Sequence, residues 1–84
     1  MLAIIVQIKN QINIMKFLLV IQICSIVLQE CTQPINIYPL YNSHYNCATA
    51  GFIKGISTIR ELGEENVNKD KMLINFSCRE LANT

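Results

Sequence analysis

Phe17-Leu18-Leu19-Val20-Ile21-Gln22-Ile23-Cys24-Ser25-Ile26-Val27-Leu28 is an apolar run of twelve residues directly behind Lys16, and the fold turns on how it is read. Its length suits the apolar region of an export signal and falls short of the ~20 residues that a bilayer-spanning helix needs. The β-branched Val20, Ile21 and Ile23 equally suit a strand over residues 17–25 buried on both faces, and periodicity alone does not separate the two over so short a stretch. As a signal or anchor, residues 15–29 would make the protein exported or membrane-associated, with contact through residues 12–28 and an N-terminus held in the cytoplasm by Lys9 and Lys16. As a strand, the same segment belongs to a soluble domain. No small-residue cleavage site follows the run, and Leu28-Gln29-Glu30-Cys31 matches a lipoprotein processing site only in its cysteine.

Working outward, residues 1–14 (MLAIIVQIKNQINI) read as an extension, either an extra edge strand or a stretch upstream of an authentic start at Met15. Residues 30–42 contain Pro34, Pro39, Asn36 and Asn42 and read as a connector, because each proline drives its predecessor toward extended geometry. Ser43 then caps a helix over about 43–62, closed by Gly63 in the position where helices commonly end. Ala48, Phe52, Ile59 and Leu62 fall on one arc of that helix with Gly51 and Gly55 inside it, and Ile53 stands outside it as an exposed exception. Residues 64–71 (EENVNKDK) read as a solvated turn. Beyond them Met72, Ile74, Phe76 and Cys78 alternate with Leu73, Asn75 and Ser77, the pattern of a half-buried strand over 72–78. The apolar arc of the helix is the natural cover for that strand.

These elements predict a single small α+β domain over residues 15–84, with one amphipathic helix on a short sheet in a βαβ-like order. A crossover of that kind makes the strands 17–25 and 72–78 parallel. The alternative is an N-terminal signal or membrane helix followed by a small helix–strand domain. At 84 residues the chain buries only about 60% of its unfolded surface, so a covalent staple would matter.

Cys24, Cys31, Cys47 and Cys78 are the candidates for that staple. The parallel arrangement places the first strand's end, the helix start and the second strand's end at one pole, and so gathers all four there. Of the three pairings, Cys47–Cys78 with Cys24–Cys31 is favoured; if residues 15–29 form a signal or anchor, Cys24 leaves the folded part and Cys31 is unpaired.

Sharper chemistry has weaker support. A zinc site from these cysteines and His44 lacks the close-spaced cysteine pairs of structural zinc sites, so no metal ligand and no cofactor are assigned. His44 precedes Cys47 by three residues at the start of the helix, which permits a thiol-dependent enzyme or redox protein with His44 as base. A histidine among Asn42, Ser43, Tyr45 and Asn46 is more commonly a surface or capping residue. Asn75-Phe76-Ser77 fits the glycosylation triplet, a pattern that also arises by chance. The seven basic residues are scattered singly and the net charge is +1, which argues against nucleic-acid binding.

Met15-Lys16-Phe17-Leu18-Leu19, Cys24-Ser25, Cys31, Tyr45-Asn46-Cys47, Ala50-Gly51-Phe52, Glu61-Leu62-Gly63, Val67-Asn68-Lys69 and Ile74-Asn75-Phe76-Ser77-Cys78 together resemble short uncharacterised proteins of marine bacteria and phages. Asn46 and Phe52 depart from the tyrosine–aspartate–cysteine and glycine–tyrosine patterns of that group. The resemblance implies a start at Met15 and one shared pattern for the four cysteines, and it implies no activity. The leading functional expectation is therefore a non-enzymatic accessory or interaction protein, with an edge strand open to a second copy or a protein partner.

Overall fold

The computed structural model describes residues 15–82. In it the apolar run becomes strand β1, Met15–Ser25, and a turn over residues 26–29. β1 is the centre of a four-stranded sheet. One side pairs along its whole length with β4, Met72–Ala82; the other pairs with β2, Glu30–Cys31, and then β3, Ile35–Tyr41. Two helices, α1 at His44–Leu62 and α2 at Glu64–Asp70, complete an α+β fold. Cutting out residues 17–28 as a signal would thus remove the strand to which every other strand is bonded. No helix among the described residues is long and apolar enough to cross a membrane. The expectations for residues 1–14 lie outside the described residues.

The double-sided burial expected of the run is present. Leu19 and Ile21 point to the α1 face and form the core with Cys47, and Leu18 and Val20 are buried on the opposite face. α1 forms where its termini are signalled. The Ser43 hydroxyl accepts a hydrogen bond from the Asn46 N–H at 3.1 Å. Gly63 (φ 89°) donates its N–H to the Ile59 carbonyl, in a conformation that disfavours any other residue. The start of α1 is also tied to the start of β1, through Lys16 bonded to Asn42 and the Phe17 and His44 rings in an edge contact at 5.9 Å.

The parallel arrangement of the first and last strands is corrected: every strand pairing is antiparallel. The cause is the stretch read as a connector, because residues 30–41 return along β1 as β2 and β3 and so reverse the chain before α1 begins. β3 tolerates Pro39 because it is an edge strand with an irregular register: a step of two positions along β1, from Phe17 to Leu19, faces a step of four along β3, from Tyr41 to Ile37. The Tyr38–Pro39 peptide within it is cis. Thr32 spans the break between β2 and β3, donating its N–H to the Ile23 carbonyl at 2.8 Å and accepting from the Ile23 N–H at its hydroxyl.

Residues 64–71 are corrected as well, since Glu64–Asp70 form α2 instead of a solvated turn. Glu64 and Glu65 sit in its first turn and Lys69 in its last, the charge order that the helix dipole favours. Its far end is held by Ser25, a buried residue whose hydroxyl donates to the Asp70 carbonyl at 2.7 Å and accepts from the Leu28 N–H at 3.0 Å. Three elements are fastened at that one hydroxyl.

Candidate interaction surface

Two disulfides join Cys24 to Cys31 and Cys47 to Cys78. The expectation that all four cysteines meet at one pole is corrected. Cys78 lies opposite Leu19 and Cys24 opposite Leu73 in the antiparallel register, so the bridges are five β1 positions apart, about 16 Å, and on opposite faces of the sheet. Cys24–Cys31 clamps directly opposed residues of β1 and β2. Cys47–Cys78 fixes the first turns of α1 onto β4, with Cα atoms 6.1 Å apart.

The bridges also decide what the candidate chemical residues can do in this state. Cys47 is fully buried and bonded to Cys78, so no thiolate stands beside His44, which is exposed and rests against Phe17. With every cysteine bridged, none is offered to a metal. Asn75 of the glycosylation triplet is exposed on β4, on the face away from α1.

How α1 lies on the sheet creates the most distinctive surface. The Cys47–Cys78 bond and the close approach of Gly51 to Phe76 turn the line Cys47, Gly51 and Gly55 toward β4. A Cβ on Gly51 would overlap the Phe76 ring, so only glycine permits this contact. Phe52, expected on the packed arc, is one residue farther around the helix and is 66% exposed, which corrects that assignment; its ring meets that of Phe76 edge to face, with centroids 5.0 Å apart. Ile53 is exposed as expected, and Ile56 is exposed beside it.

The result is an open groove of about 540 Å³ between α1 and β4, floored by Gly51, Gly55, Ile74 and Phe76 and walled by Phe52, Ile56, Ile59, Val67 and Met72. Arg60 is its one charged lining residue. Leu73, whose side chain belongs to the opposite face of β4, also lines it. The groove therefore opens around the outer edge of β4.

That edge is unpaired among the described residues. Ile23 directs both its N–H and its carbonyl at Thr32, and backbone groups alternate sides along a strand. The even-numbered residues of β1 therefore bond β4, and through the register they bond its odd-numbered residues, Leu73, Asn75, Ser77 and Arg79. The N–H and carbonyl groups of Ile74, Phe76 and Cys78 consequently face outward along the free edge. Nothing in the sequence identifies this surface, because its walls depend on the rotation of α1 about its own axis.

Comparisons with protein-family models, curated proteins and solved structures give no match.

Proposed function

We propose that this chain is a small, disulfide-stabilised, non-enzymatic accessory protein that binds another polypeptide along β4. The bound segment adds as a strand to the free edge, and its alternate apolar side chains enter the groove between α1 and β4. The observation that carries this reading is the contrast between the two edges of the sheet. The β3 side is blunted by Pro34, Pro39, an irregular register and a break at residues 32–34. β4 runs for 11 residues with regular pairing to β1 and contains no proline. Folded proteins ordinarily guard such an edge, and an unguarded one beside an apolar groove suits strand addition.

The test is selection of displayed random peptides on the immobilised protein. Selected peptides are expected to carry apolar residues at alternate positions and to lose binding to Phe52→Lys and Ile56→Lys. Because both positions are exposed, each variant should keep its unfolding free energy within about 0.5 kcal/mol of the parent. Selected binders indifferent to both substitutions would refute the reading.

A further inference from the structure

Resting on that reading, we infer that the polypeptide taking the β4 edge is β4 of a second copy of this chain, in an antiparallel, two-fold symmetric pairing.

The strand that the edge and groove require has apolar side chains on the α1 face, uncharged side chains at the centre of the other and little charge along its length. β4 is itself such a strand. Met72, Ile74, Phe76 and Cys78 occupy its α1 face, while Leu73, Asn75, Ser77 and Arg79 occupy the other, the central two uncharged and polar. Its only charged residues are Arg79 and Glu80, one of each sign, and the chain as a whole carries +1, so two copies approach without strong repulsion.

A two-fold axis normal to the sheet keeps the α1 helices of both copies on the same face. The outward N–H and carbonyl groups of Ile74, Phe76 and Cys78 then find partners, and the two grooves meet at the seam, covering Phe52 and Ile56 of each copy. With the axis beside Phe76, Asn75 stands opposite the partner's Ser77, so uncharged polar residues pair on the solvent face. Such an interface is isologous and closes on itself, which leaves, among the described residues, only the guarded β2 and β3 sides as edges of the joined sheet.

The area suffices. β4 has 11 residues, about 36 Å at the strand rise, and the combined height of sheet and helix is about 20 Å. Contact over that strip covers roughly 700 Å² on each copy, close to the ~800 Å² per partner of a standard stable interface.

The test is sedimentation equilibrium of the full chain at micromolar concentrations. The expected mass is twice the 9.6 kDa of one chain. Two variants, N75K/S77K and N75E/S77E, place like charges opposite one another across the seam at positions exposed in the single chain. Each should weaken self-association roughly tenfold or more, with an unchanged circular dichroism spectrum, and an equimolar mixture of the two should recover the doubled mass. A parent that sediments at 9.6 kDa throughout, or a dimer indifferent to both variants, overturns the inference. A monomeric parent that still selects alternating apolar peptides loses only the second copy as occupant; one that selects none loses the wider reading too.

Discussion

Replacing Cys47 and Cys78 together by alanine is expected to destabilise the fold by about 3.5–4 kcal/mol, the largest effect of any paired substitution proposed for this chain. The bridge joins residues 31 apart in sequence, and a crosslink over that span removes about that much chain entropy from the unfolded state. Removing Cys24–Cys31, which spans 7 residues, should cost only ~2.5 kcal/mol on the same basis. At about 0.05–0.15 kcal/mol per residue a domain of this size has roughly 4–13 kcal/mol in total, so loss of Cys47–Cys78 removes a large share of its stability. Urea titration of the two double variants checks the order. A smaller loss for C47A/C78A than for C24A/C31A would mean that the α1–β4 junction holds without its bond.

Gly51→Ala should be clearly destabilising, with Gly55→Ala as its control. The two glycines are one helical turn apart on the same line, yet they meet different neighbours. An added Cβ at Gly51 overlaps the aromatic ring of Phe76, whereas at Gly55 it reaches Ile74 at an ordinary 3.6 Å. The first change should cost about 1–3 kcal/mol through overpacking, and the second should be neutral or should stabilise by up to ~1 kcal/mol through helix propensity. Combining Gly51→Ala with Phe76→Leu gives the methyl group room and should recover part of the loss. Thermal unfolding of the three variants reads this directly; equal effects at Gly51 and Gly55 would show that α1 does not pack on β4 at the distance described.

The two substitutions bear on what could be read from the residues alone. Ser43 and Gly63 bound α1 because capping is local chemistry, carried by the residues at the ends themselves. The alternation of Met72 to Cys78 is equally local, and so is the β-branched character of the central run. The direction of the last strand was not legible, because it depends on whether residues 30–41 return along β1. Their prolines conceal a strand that is possible only at a sheet edge with an irregular register. α2 was hidden for a different reason: Val67 is its only apolar side chain beyond the first turn, and its ends are held by dipole-favoured charges and by Ser25 of a distant strand. The groove needed one more piece of information, the angle at which α1 rests, which the Cys47–Cys78 bond and the Gly51 contact set together. A helical wheel places Phe52 on the apolar arc, and the actual rotation leaves it outside.

Amide hydrogen exchange along β4, followed by NMR as the protein is diluted, tests the central claim that this strand's outer edge is the binding surface. Leu73, Asn75, Ser77 and Arg79 donate toward β1 and should exchange slowly at every concentration. Ile74, Phe76 and Cys78 should exchange rapidly in dilute protein and become protected as the concentration rises or a selected peptide is added. Protection of this second set at every dilution, or rapid exchange that neither a second copy nor a bound peptide slows, would contradict the account.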